Sequence, residues 1–141
     1  VSDCGHAEEG KEYSLWLNGT FKRSEKISVK RGESFIAKCV PAVGCESYHK
    51  EYFSLSMALA VGHQLSVNVK IINTTRNDGR TWRMNIIFDE SLIASCSLLT
   101  FSRPEKVTCR VDEDASGINI TCSTTKIYPR AKCDFLVYVN K

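Results

Sequence analysis

Cysteine is the residue type with the most chemistry to offer in this chain. There are seven in 141 residues, at Cys4, Cys39, Cys45, Cys96, Cys109, Cys122 and Cys133. No two stand as Cys-x-x-Cys, so neither a zinc site nor a redox pair has its usual spacing, and disulfides are the better use of them. Three Asn-x-Thr sequons, beginning at Asn18, Asn73 and Asn119, offer side-chain amides for N-linked glycans. The chain begins at Val1, which fits a mature form after removal of a secretory signal. Together these features place the protein in an oxidising compartment, secreted or on the extracellular side of the cell surface.

The remaining reactive groups do not form a site. His6, His49 and His63 have no acid or nucleophile at a motif spacing. The acidic stretches Glu8-Glu9 and Asp112-Glu113-Asp114 lack the alternating ligands and the glycine of a calcium loop, and read as solvated turns. A basic run, Lys22, Arg23, Lys26, Lys30 and Arg31, could attract sulfated glycans. With a net charge of +3 and acids interspersed, it reads better as a soluble charged edge strand. Neither enzymatic activity nor a cofactor, metal or nucleic-acid partner is expected. No apolar run reaches the roughly 18 residues needed to span a bilayer, so no membrane insertion is expected within this chain.

The elements that would position these groups read as strands. Residues 32–40 and 92–101 are short apolar runs, each with a cysteine in its middle. On a strand, alternate residues share a face, which groups Cys39 with Ala37 and Phe35, and Cys96 with Ala94, Leu98 and Leu92. Further alternating runs lie at 13–17, 26–30, 52–59, 65–71 and 81–88, with residues 1–12 as an irregular lead-in pinned by Cys4. The runs on either side of Asp78-Gly79 read as a hairpin, and 41–45 as a loop. Strands so spaced make an all-β, antiparallel, disulfide-stapled sandwich over residues 1–103. After Pro104 the pattern restarts, with strands at 107–111, 118–122 and 134–139.

The cysteines fall into two similar triples, Cys4, Cys39 and Cys45, then Cys109, Cys122 and Cys133, with Cys96 as a fourth member of the first. If the two units fold alike, Cys39 pairs with Cys96 across the core, Cys4 with Cys45, and Cys109 with Cys133. Cys122 is then unpaired or intermolecular.

At this point the chain resembles the immunoglobulin superfamily. The stretch Ile118-Asn-Ile-Thr-Cys-Ser-Thr-Thr-Lys-Ile-Tyr-Pro-Arg-Ala-Lys-Cys-Asp-Phe is similar to Ig-type domains of invertebrate, molluscan-type secreted and cell-surface proteins. The resemblance implies an Ig-like sandwich at 1–103 and a partial second Ig-like unit at 104–141, completed by further residues or by a neighbouring chain. Two hallmarks are missing: Ala94 stands two residues before Cys96, where a tyrosine corner would sit, and no tryptophan follows Cys45 on the next strand. The expected function is non-catalytic recognition or adhesion of a protein or glycan partner. The alternative is a self-assembling protomer of an extracellular glycoprotein fibre or matrix, exchanging strands between chains.

Overall fold

A computed structural model describes residues 2–20, 25–103 and 107–124. The chain divides into two compact units, Val1–Phe101 and Ser102–Lys141.

Among the described residues the first unit holds nine strands: β1 (Ser2–Glu8), β2 (Tyr13–Thr20), β3 (Ile27–Arg31), β4 (Ser34–Val40), β5 (Gly44–Ser47), β6 (Phe53–Ala60), β7 (Gln64–Ile71), β8 (Thr81–Ile86) and β9 (Leu92–Phe101). They form a six-stranded sheet in the order β1-β9-β8-β3-β4-β5 and a three-stranded sheet in the order β2-β7-β6. All pairs are antiparallel except β1 with β9. This is the layout of a variable-type immunoglobulin sandwich, in which two extra strands widen one sheet.

Inward residues of both sheets make one core. Leu15 and Leu17 of β2, Leu65, Val67, Val69 and Ile71 of β7, and Phe53 of β6 meet Ile27, Val29, Trp82, Met84 and Leu98 of the other sheet, all buried. Period-two alternation is strongest in β7, Leu65-Ser-Val-Asn-Val-Lys-Ile, because the central strand of the small sheet buries one whole face. Trp82 and Phe53 meet edge to face between the sheets, ring centroids 5.7 Å apart.

Several expectations are corrected. Residues 1–12 are not an irregular lead-in, since Ser2–Glu8 forms strand β1; its polarity suits an edge. Gly5 there has φ of +102°, and a Cβ would collide with the Tyr13 hydroxyl, so only glycine fits. The loop expected at 41–45 contains the start of β5, four residues too short and polar to show a pattern. The charged 26–30 run is not an edge: β3 lies between β4 and β8 with Ile27, Ser28 and Val29 all buried. Asp78-Gly79 is not a hairpin turn. Gly79 has φ of −76°, where the tight hairpin turn needs positive φ, and the connection carries the chain from β7 in one sheet to β8 in the other. A bulge in the β3–β4 ladder, between Val29 and Lys30, turns Phe35 away from Ala37 and Cys39 and out to solvent. At the start of β9, Leu92 likewise points outward.

The disulfides are also reassigned. The structure pairs Cys4 with Cys96, Cys39 with Cys45, and Cys109 with Cys122. Cys39 and Cys96 lie in one sheet with β3 and β8 between them, so three strand spacings, about 14 Å, separate them. A disulfide tolerates less than about 7 Å between Cα atoms. Cys4 and Cys45 sit on opposite edges of that sheet. Instead, neighbouring strands supply the partners: β1 and β9 bring Cys4 and Cys96 to a Cα separation of 5.2 Å, and Cys39 faces Cys45 in the β4–β5 register at 4.0 Å. Cys122 is thus not the unpaired thiol. Cys133, the seventh, lies outside the described residues, as does the strand expected at 134–139.

In the second unit, β10 (Val107–Asp114) and β11 (Gly117–Thr124) form an antiparallel ribbon. Cys109 stands opposite Cys122, Val111 opposite Ile120, and Glu113 opposite Ile118. Asp114 closes the two-residue turn by accepting hydrogen bonds from the Ser116 amide and hydroxyl, which hold its carboxyl below the ordinary carboxylate range.

Candidate recognition surface

The junction of β7 with β8 is the best-tied corner of the first unit. A short 3-10 helix, Arg76–Asp78, fills it. The Asp78 carboxylate accepts from Arg31 Nη1 at 2.7 Å, from the Thr75 amide at 2.8 Å, and from the Thr75 hydroxyl at 3.3 Å. Trp82 Nε1 donates to the Asp78 carbonyl at 3.0 Å. A ring at the start of this strand bonding back to backbone four residues earlier does the work of a tyrosine corner. The corner therefore exists, built by Trp82 in β8 and not by the position of Ala94, two residues before Cys96. Met84, two residues on, takes the place of the usual core cysteine, and β2 offers Leu15 and Leu17 opposite. Asp78-x-x-x-Trp82-x-Met84 was the sequence signal for it, hidden because neither the tyrosine nor the cysteine is present.

Among the described residues the basic run does not form a patch. Arg31 is spent on buried Asp78 and stacks over Phe53, with its Cζ 5.6 Å from the ring centroid. Lys30 Nζ lies 4.6 Å from the centroid of Phe35. Lys26 is exposed, and Lys22 and Arg23 lie outside the described residues.

The two sheets present different outer faces. On the six-stranded sheet, Lys30, Phe35, Lys38, Arg83 and Leu99 point outward, with Arg83 reaching Glu33 at 3.4 Å. Phe35 is 54% exposed and Leu99 56%, set among charges of both signs. The three-stranded sheet shows Trp16 and Asn18 on β2, with Asn68 and Ser66 beside them in register.

All three sequon asparagines, Asn18, Asn73 and Asn119, are exposed. Asn18 lies on the small sheet, Asn73 just after β7, and Asn119 on the polar face of the ribbon. His6, His49 and His63 are exposed, the first on β1, the second between β5 and β6 and the third between β6 and β7. Among the described residues no cluster of His, Cys, Asp and Glu could hold a metal ion, and no helix is long and apolar enough to cross a membrane.

No family model matches the chain, and no curated protein does. Solved structures do. The full ectodomain of mouse nectin-like molecule 4, Ig1–Ig3, aligns with a TM-score of 0.64 at 12% identity, covering 92% of this chain and 43% of that one. This chain thus spans less than half the length of that ectodomain. The ZIG-8–RIG-5 IG1–IG1 heterodimer aligns at 0.48 and 7% identity, covering 71% of this chain and 82% of that one. The ZIG-8 IG1 homodimer gives 0.49 and 8%, covering 72% and 82%. With the strand order above, the likeness to the nectin-like ectodomain establishes the architecture: an all-β, disulfide-bonded, immunoglobulin-like sandwich.

Proposed function

We propose that this chain is a non-catalytic extracellular recognition or adhesion module whose partner-binding surface is the outer face of the six-stranded sheet. The observation that carries the reading is the contrast between the two sheets. The larger face exposes Phe35 opposite Lys30, with Arg83 next across and Lys38 on the same strand, an aromatic side chain with a charged surround as protein-contacting patches have, and Leu99 is exposed on β9, three strand spacings away. The smaller face exposes Trp16, but it carries the Asn18 sequon two residues away, and a glycan there shields that ring and leaves the larger face to the partner. The disulfides and sequons support an extracellular setting. The partner is a protein or a glycan, with a second copy of this chain as the first probe. Sedimentation of the glycosylated chain and a display screen against extracellular proteins and glycans test the reading. Phe35→Glu should abolish the binding found and Ser56→Glu, on the small sheet, should leave it intact. Equal losses, or turnover of a peptide or glycan substrate, overturn it.

A second reading, a self-assembling protomer of a fibre or matrix, draws on the β10–β11 ribbon. Val111 and Ile118 are each 63% exposed and Ile120 39%, on the same face as the Cys109–Cys122 bridge. In this reading residues 104–141 are a partial second Ig-like unit, related to the invertebrate type, whose apolar face is completed by a strand from a neighbour. A monodisperse monomer at high concentration under non-reducing conditions excludes it.

A further inference from the structure

A cavity of about 350 Å³ opens at one end of the first unit, lined by Arg31, His49, Tyr52, Phe53, Asn73 and Asp78 among others. One of its walls is a sequon asparagine. We propose that this cavity is the seat of the first N-acetylglucosamine of a glycan carried on Asn73, a reading that rests on the extracellular setting proposed above.

The wall chemistry fits a sugar. An N-acetylglucosamine ring is apolar on its C–H face and polar at its rim. Tyr52 is 56% exposed and lines the cavity, its ring in a T-shaped contact with Phe53 at 6.4 Å. Weakly positive C–H groups stack on the negative face of an aromatic ring. For the rim, Arg31 and Asn77 also line the cavity. A guanidinium and a side-chain amide offer donors and an acceptor suited to the acetamido group and ring hydroxyls.

The geometry brings sugar and ring together. The Ile72 amide donates to the Tyr52 carbonyl at 2.9 Å, so Asn73 follows directly on Tyr52's backbone partner, in the bend just after β7 ends at Ile71, and both residues line the cavity. The loop carrying Asn73 is fixed on both sides: the Thr74 hydroxyl and amide both donate to the Lys11 carbonyl, at 2.7 and 2.9 Å, and Thr75 is bound to Asp78. A sugar tethered to such a loop is held at high effective concentration over the ring, so a weak stacking contact suffices. At Asn18 the exposed Trp16 ring stands two residues away on the same face of β2, but it does not line the cavity beside Asn18, which is formed by Gly19, Thr20, Gln64, Leu65 and Ser66.

The test uses the chain secreted from eukaryotic cells and trimmed by endoglycosidase to one N-acetylglucosamine per site. Melting is compared for wild type, Asn73→Gln, Tyr52→Ala and the double variant. Asn73→Gln should lower Tm by about 3–5 °C when Tyr52 is present and by nothing further in the Tyr52→Ala background. In unglycosylated protein, Asn73→Gln should leave Tm unchanged. On the unmutated glycoprotein, NMR should show the acetyl or ring protons of the Asn73 sugar shifted upfield by the Tyr52 ring. Equal Tm losses in both backgrounds, a loss in unglycosylated protein, or unshifted sugar protons overturn the proposal. Asn73 bare with Asn18 occupied overturns it while leaving the extracellular reading standing; all three sequons bare overturns both.

Discussion

The first unit and the β10–β11 ribbon are written in the same alternating code and end differently. In β7 every second residue is apolar and wholly buried. In β11 Ile118 and Ile120 alternate just as cleanly, yet both stay in contact with solvent. Burying a side chain of that size contributes roughly 1.5–3 kcal/mol, so the difference is energetic as well as visual. Alternation declares that a strand has two unlike faces; what covers the apolar face is decided by elements elsewhere. The disulfides divide in the same way. Cys4–Cys96 closes a span of 92 residues, whereas Cys109–Cys122 joins residues only 13 apart that already face each other in a ladder.

The sharpest way to break this comparison is to remove the bridges one at a time. In the chain-entropy account the stabilisation grows with the logarithm of the loop, giving about 4–5 kcal/mol for Cys4–Cys96 and about 2 kcal/mol for Cys39–Cys45. Replacing Cys4 and Cys96 together by alanine should therefore lower the first unit's stability roughly twice as much as replacing Cys39 and Cys45. Urea melts of the pair would measure the ratio; equal losses would mean that the Cys4–Cys96 bridge closes a loop the unfolded chain has already closed.

Asp78 comes next. It is buried, with Arg31, Thr75 and the Trp82 corner arranged around it. Asp78→Ala strands the Arg31 guanidinium and two Thr75 donors, and should cost about 3–5 kcal/mol, the range for breaking one side of a buried ion pair. Double substitution with Arg31→Met should recover part of that loss. No recovery would place the stabilisation in the Thr75 bonds and not in the ion pair.

These residues also mark what could be read from the chain. Strands with one buried face, β2, β4, β6, β7, β8 and β9, were legible because burial imposes period two. Edge strands β1 and β5 were not: exposed on much of their surface, Ser2–Glu8 and Gly44–Ser47 carry little apolar signal, and glycines that permit their local backbone read as breakers. The disulfides misled because a cysteine inside an apolar run shows its face but not its sheet. Cys39 and Cys96 both face the core, from the same side. Arg31 looked like one of a row of surface charges, since nothing local reveals that Asp78, 47 positions away, waits for it. The broad outer face bearing Phe35 was equally hidden, because one bulge reverses the direction of that side chain.

A smaller effect should appear at Tyr13, whose hydroxyl donates to the Cys4 carbonyl. Burial first, and the negative charge of Asp3 second, push its pKa above the ordinary value near 10. A raised tyrosine pKa means that the folded state favours the neutral phenol. That stability is fully present below pH 10 and is lost as the pH rises through the folded-state pKa. Tyr13→Phe should cost about 1 kcal/mol at pH 7, the net worth of one hydrogen bond. The difference between variant and wild type should shrink above pH 10; a constant difference up to pH 11 would show that the phenol does not titrate with folding.

The smallest expected effect lies in the ribbon and tests the other half of the comparison. Val111→Thr and Ile118→Thr, together, remove apolar surface that is 63% exposed at both positions. Exposed substitutions of this kind usually change stability by less than about 0.5 kcal/mol, so the first unit should melt as in wild type. Threonine keeps the β-branched shape that strands favour and the Cys109–Cys122 bridge holds the register, so the ribbon itself should persist. Amide exchange in residues 107–124 of the monomer should then be as slow in the variant as in wild type. If the apolar face is completed by a neighbouring chain, the same double variant should lose concentration-dependent protection of those amides and any associated species. Protection that is independent of concentration in both proteins would mean that the ribbon needs no partner, and that its apolar face, unlike β7's, is stable in water as it stands.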